Sequence, residues 1–234
     1  MSRALFVSAH PDDVELACGG TVLLLKSKGY ELHLLICTRG DKGTHDRTLT
    51  NVEMMRVRES EQREASRIMG LKYHHFLEYL DGELIYSKEL VGEITFHIRR
   101  VCPDILITFD PFKRYQLHSD HRSVGLATLD ARLSAKLPLY YPNQLREGLD
   151  VCEVKEIWLF EPDEANFWLD VSSVWDRRFE MLAAHKSQLE KIMNDVREFI
   201  TMEAKKSGEK IGASHAEAFR RISFNRSYFY ADGT

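Results

Sequence analysis

The sequence has no Cys-x-x-Cys pair; its four cysteines, Cys18, Cys37, Cys102 and Cys152, are far apart. That excludes a cysteine-rich zinc knuckle and a dithiol redox motif. Three of the four lie in or beside apolar stretches, which predicts buried free thiols and fits a reducing cytosol. No apolar run is long enough to span a bilayer, and Met1-Ser2-Arg3 leads straight into a short apolar run rather than a signal peptide. The expectation is a soluble, cytoplasmic protein with no membrane partner. Charge of one sign is not concentrated anywhere: 32 Lys and Arg are scattered among 36 Asp and Glu, for a formal charge of -4. Without a basic stripe, no nucleic-acid partner is expected. Linkers, internal repeats and low-complexity segments are also missing, so the 234 residues are read as a single domain, 1–234, with enough chain to bury a sizeable core.

What is present is an alternation of short apolar runs with helical patterns. Ala4-Leu5-Phe6-Val7-Ser8, Glu31 to Thr38, Tyr73 to Phe76 and Ile105 to Phe109 read as buried strands. Between them, Thr21 to Lys28 is a helix stopped by Gly29, its start lying near Val14 or only after Gly19-Gly20. Glu53 to Met69 is a highly charged helix closed by Gly70, and a third, capped by Ser87, runs to about Arg100. Arg122 to Lys136 continues the alternation. Pro138 to Pro142 reads as irregular, Val154 to Phe160 and Phe167 to Val171 as strands, and Ser173-x-x-Asp176 as a capping box opening a helix to about His185. Gln188 to Lys206 is helical in pattern. The order predicts an α/β fold: a Rossmann-like, doubly wound, mostly parallel sheet with helices on both faces.

Two polar clusters stand where buried strands end. The first is His10-Pro11-Asp12-Asp13-Val14-Glu15, directly after the first strand. Pro11 disfavours helical geometry at His10 and fixes its own φ, so one imidazole and two carboxylates share a constrained turn. Adjacent carboxylates repel, and a bound cation relieves that. A single Asp would suffice to cap the next helix, which leaves the second Asp and the histidine unexplained by capping alone. The second cluster, Gln116-Leu117-His118-Ser119-Asp120-His121, follows the strand ending at Phe109. Parallel strands bring both ends to one sheet edge, where ligands bind in open α/β sheets. Three His and carboxylate ligands with a fourth position for water make a catalytic zinc composition.

His-Pro-Asp-Asp-x-Glu with a downstream His-x-Asp-His resembles the LmbE-like, or PIG-L, family of zinc-dependent N-deacetylases. Weaker matches are Arg58-x-x-Glu61, Thr38-Arg39-Gly40, Asp81-Gly82 and Ala216-Glu217-Ala218-Phe219. The resemblance implies one Zn2+ per chain held by His10, Asp13 and His121, although the same donors suit Fe2+ or Mn2+. It implies Asp12 as the base acting on water, and Asp120 orienting His118, which faces the oxyanion or protonates the departing amine. The acid is left open between His118 and Asp12. A plainer reading has His118 and Asp120 merely supporting His121.

The match also suggests Arg58 as a substrate contact, against a solvated helix face with intrahelical pairs to Glu61 or Gln62. The other histidines, His185 among them, carry no such context. Family members often have an arginine near the penultimate strand, where Glu153 and Lys155 stand here. The expected activity is removal of an acetyl group from a small-molecule N-acetylated amine, of the N-acetylglucosamine type. A homo-oligomer is compatible with the sequence. The alternatives are a metal-dependent phosphoesterase, which would want two metals, and a nucleotide-binding module. Against the latter, the first strand–helix turn lacks Gly-x-Gly-x-x-Gly.

Overall fold

Strands β1 (Arg3–Ser8), β2 (Glu31–Thr38), β3 (Tyr73–Tyr79), β4 (Ile105–Phe109), β5 (Glu156–Phe160), β6 (Phe167–Asp170) and β7 (Ala216–Ser223) form one sheet in the order β3-β2-β1-β4-β5-β7-β6. The computed structural model describes residues 1–224. The first five strands are mutually parallel, and β7 runs antiparallel to both β5 and β6. This is the mostly parallel α/β architecture that the alternation predicts. β4 is buried at every position and β1 at all but its first, because a strand covered by helices on both faces has no polar side to show.

The helices are α1 (Asp13–Ser27), α2 (Asn51–Met69), α3 (Lys88–Val101), α4 (Ser119–Lys136), α5 (Pro142–Arg146), α6 (Arg178–Leu182), α7 (Lys186–Leu189) and α8 (Met193–Glu209). α3 packs along α4, while α1 and α2 pack on α6. Among the described residues no helix is long and apolar enough to cross a membrane. Ser87 caps α3 by accepting from Leu90 N, and Gly70 ends α2 in the left-handed region at φ 66°. α2 begins two residues earlier than the charge pattern indicates, because Thr50 and Glu53 form a reciprocal capping box.

Three expectations are corrected. Cys102 and Cys152 are joined in a disulfide across 5.4 Å between Cα atoms, whereas Cys18 and Cys37 are buried free thiols. The pairing joins the end of α3 to the loop before β5, a contact that spacing cannot show, and cysteine usage therefore no longer argues for a reducing cytosol. Ser173 and Asp176 open no long helix. The segment is a 3-10 turn, Ser172–Val174, followed by the short helices α6 and α7, an arrangement that buries both Arg178 and His185 against α1. The last helical pattern is shifted to α8. Ala216–Ser223, a stretch with no element expected from the sequence, is a strand inserted between β5 and β6.

α1 is itself broken, which is why its start is ambiguous in the sequence. Cys18 has non-helical φ/ψ of -148° and 34°, and the N–H groups freed there are taken by Glu217 of β7, from Gly20 N at 2.8 Å and Thr21 N at 2.7 Å. A Cβ on Gly20 would lie 2.8 Å from that carboxylate, so only glycine fits.

Candidate active site

β1 and β4 are neighbours, yet the chain leaves β1 toward β2 and β3 and leaves β4 toward β5. This is the topological switch point of the sheet, where the carboxyl ends of two strands diverge and open a crevice. His10 to Asp13 follow β1 there, and the segment from Asp110 to His121 follows β4.

His10 is 6% exposed and has a carboxylate at each ring nitrogen. Its Nδ1 lies 3.6 Å from Asp13 Oδ2; its Nε2 lies 3.1 Å from Asp120 and 3.2 Å from Asp81. On the other side, Asp13 Oδ1 is 3.5 Å from His121 Nε2. Asp13 thus stands between the two imidazoles, one carboxylate oxygen toward each, and imidazole with carboxylate is a donor set that suits a divalent cation. Donation from His10 Nε2 to a carboxylate also fixes the tautomer that leaves Nδ1 a lone pair. Among the described residues two donor sets lie within 4.8 Å, and both include His10: His10 with His118 and His121, and His10 with Asp81 and Asp120; Asp13 belongs to neither.

The turn that makes this possible is strained. Asp12 takes a left-handed conformation, φ 86° and ψ -22°, which costs about 1–3 kcal/mol at a non-glycine residue and persists only where neighbours hold it. Asp13, the first residue of α1, accepts from Ala9 N at 3.0 Å and His10 N at 2.7 Å through Oδ2. Both carboxylates are therefore buried side by side, with different partners.

Their titration differs accordingly. Burial would raise Asp13, but the hydrogen bond and charge of His10 and then His121 hold it far below the usual carboxylate range. Asp12 is pushed up to about 6, chiefly by burial, with the Arg58 charge opposing and Asp13 adding. Burial lowers His10, yet Asp120, Asp13 and Asp81 outweigh it and raise the ring well above its ordinary value. His118 is lowered by burial, with His10 and His121 adding to the effect.

The residues expected from the sequence all come to this crevice, with changed partners. Asp120, fully buried, engages His10 and accepts from Gly82 N at 2.7 Å; it makes no hydrogen bond to His118. His118 is exposed at the rim, its ring stacked on His121 at 4.5 Å. Phe109 stacks on the other face of His121 at 3.9 Å and steadies it.

Arg58 is 5% exposed, which overturns the solvated-face reading. It donates to Pro11 O at 2.6 Å and Asp12 Oδ2 at 3.1 Å, and its buried Nε has no hydrogen-bond partner among the described residues. Gly40, at φ 64°, leaves room for this guanidinium, since a Cβ there would fall 2.2 Å from Arg58 Nη1. Glu61 points elsewhere and accepts from Ser187 N and Oγ, both at 2.7 Å, fastening α7 to α2. Glu153 and Lys155 precede β5 at the opposite edge of the sheet and pair with Lys136 and Asp104.

Three residues at the site went without a role in the sequence. Asp81 is held by Asp41, which accepts from its N–H at 2.9 Å. Gln62 and His185 were given no role at the site: one lies within a highly charged helix, where it reads as a partner of Arg58 on a solvated face, and the other at the end of a segment that reads as helix. His185 is fully buried, with Nε2 3.3 Å from Glu15.

The family model described as PIG-L, GlcNAc-PI de-N-acetylase, matches residues 5–132, and the chain belongs to this family. Its sequence is 29% identical to the diacetylchitobiose deacetylase of Thermococcus kodakarensis, over 95% of this chain and 84% of that protein. It is 30% identical to a probable N-acetyl-alpha-D-glucosaminyl L-malate deacetylase 2 of Bacillus cereus, over 82% of this chain and 86% of the relative. The solved N,N'-diacetylchitobiose deacetylase from Pyrococcus horikoshii superimposes with a TM-score of 0.91 at 29% identity, covering 97% of this chain and 87% of that one.

Proposed function

We propose that this protein is a hydrolase that removes the acetyl group from an N-acetylglucosamine-type sugar amine, with one divalent cation, zinc by its donors, held by His10, Asp13 and His121. The observation that carries this reading is Asp13 set between two imidazole nitrogens at 3.6 and 3.5 Å, with Asp12 buried beside it and outside that triad. The deacetylases among its relatives support the substrate class. Residues 1–234 act as one domain on a small-molecule substrate.

A cation bound there supplies Lewis-acid polarisation of the acyl carbonyl and acidifies the attacking water. Asp12 takes the proton as the water oxygen bonds to the acyl carbon; a carboxyl pushed up to about 6 suits proton transfer near neutral pH. Arg58 holds the Asp12 carboxylate, and the family match at Arg58 supports its guanidinium as a contact for the polar substrate. His118, on the open side of the cluster, donates to the developing oxyanion. Asp120 acts through His10, whose ring it fixes. The C–N bond then breaks, the amine nitrogen takes up a proton from Asp12 or from His118, and acetate and free amine leave.

The test is incubation of zinc-loaded protein with N-acetylglucosamine, diacetylchitobiose and N-acetylglucosaminyl malate, with acetate, free amine and metal content measured. Turnover of at least one sugar with metal near one per chain is expected. No free amine from any of the three would overturn the reading, and two metals per chain with phosphate-ester hydrolysis would replace it with a phosphoesterase.

A further inference from the structure

We infer that Gln62 is a positioning residue for Asp12: its side-chain amide clamps the Asp12 backbone and so decides where the Asp12 carboxylate points. The inference rests on the reading that Asp12 takes the proton from water.

Asp12 stands at the N-cap of α1 in a left-handed conformation, but its side chain makes no capping hydrogen bond, so that the bond from Leu16 N to its carbonyl, at 2.9 Å, is what the helix itself contributes. The remaining hold comes from α2. Arg58 grips the carboxylate Oδ2 and the preceding carbonyl of Pro11, and Gln62, one helical turn further on and 1% exposed, accepts from Asp12 N at 3.1 Å through Oε1. Residues i and i+4 on one helix thus take the side chain and the main chain of the same residue.

The amide has one workable orientation. Its Nε2 donates to Glu15 Oε1 at 2.7 Å, while its Oε1 faces an N–H. Rotating it by half a turn would set NH2 against N–H and a carbonyl against a carboxylate. Glu15 is in turn 1% exposed and faced by His185 Nε2 at 3.3 Å, so the far end of the clamp is anchored in the core. A carboxylate that must meet a water to within a fraction of an ångström is sensitive to such a hold, since a misplacement of about 1 Å costs on the order of 100-fold in rate.

The decisive variant is Gln62→Met, which keeps length and helix propensity and removes both hydrogen bonds. The expected result is a fall in kcat of about 10- to 100-fold with KM and metal content unchanged, together with faster hydrogen exchange at the Asp12 amide. In an Asp12→Asn background the same change should leave the residual rate alone, because the group being positioned is already gone. An equal loss in both backgrounds, or a lowered Tm with kcat and Asp12 exchange unchanged, would overturn the inference. Should Gln62→Met not fold, the exchanged pair Glu15→Gln with Gln62→Glu rebuilds both bonds: residue 62 still accepts from Asp12 N, and donor and acceptor are reversed only between residues 62 and 15. It should stay within a few-fold of the parent, and a loss of about 100-fold would count against the clamp. A parent protein that deacetylates nothing would sink the deacetylase reading alone, with Asp12 amide exchange still deciding the role of Gln62.

Discussion

Two places in this molecule bury charge, and they are built in opposite ways. At the end of β7 a single carboxylate, Glu217, accepts from Gly20 N, Thr21 N, Thr21 Oγ1 and Arg178 Nη1, and Arg178 spends its other amino group on the carbonyls of Glu15 and Leu16. At the switch point between β1 and β4, four buried carboxylates, Asp12, Asp13, Asp81 and Asp120, crowd round His10 with Arg58 as the guanidinium among them. The first cluster gives every oxygen of its one carboxylate a donor and closes a break in a helix, with Arg178 Nε the atom left without a hydrogen bond among the described residues. The second leaves negative charge in excess, which a cation would neutralise. A matched cluster is structural, and a surplus of one sign in a crevice marks a place where something binds.

The largest effect that would break this comparison is at the cation donors. His10→Ala, Asp13→Ala and His121→Ala should each abolish metal retention and turnover; metal analysis after dialysis checks this, and a variant with full metal content removes its residue from the ligand set. Next comes Asp12→Asn, which keeps shape but not basicity. It should retain metal and lose about 10²- to 10⁴-fold in kcat, and an Asp12→Asn protein without metal would reverse the assignment of the two neighbours. Replacing one partner of the matched cluster, as in Arg178→Met, strands a buried carboxylate. About 3–5 kcal/mol of stability should be lost by urea denaturation, with metal content intact; a loss of metal instead would merge the two clusters into one functional unit.

The smallest effect contrasts histidines. Carboxylates raise the His10 ring against its burial, whereas burial lowers His97 to about 3, with His75 and Arg100 adding to the shift. The folded protein then binds fewer protons at His97 than the unfolded chain between about 3 and 6.5. Stability from this group is complete above the upper value and lost as pH falls through the window, by up to about 1.4 kcal/mol per pH unit. His97→Leu should flatten that slope in denaturation measured from pH 7 to pH 4, and an unchanged slope would mean that His97 is solvated when charged.

Much of the molecule was legible in its residues because the signals are local. An apolar run such as Ile105 to Phe109 states its own burial, Gly70 its own left-handed stop, and Ser87 its own cap. His10, Asp12 and Asp13 follow β1 directly, and the parallel arrangement was enough to bring the His118 to His121 cluster to them. What the chain alone determined was thus the alternating elements from β1 to α4, the parallel core and the composition of the crevice. The tertiary structure decided the partners: which strand fills the gap between β5 and β6, that Cys102 meets Cys152, that Asp120 faces His10 rather than His118, and that Arg58 and Gln62 turn inward. Those choices depend on contacts between residues 40 to 200 positions apart, as in the bond from Thr21 to Glu217. Periodicity and spacing carry no record of them, because a helix pattern shows which residues share a face and not what that face will meet.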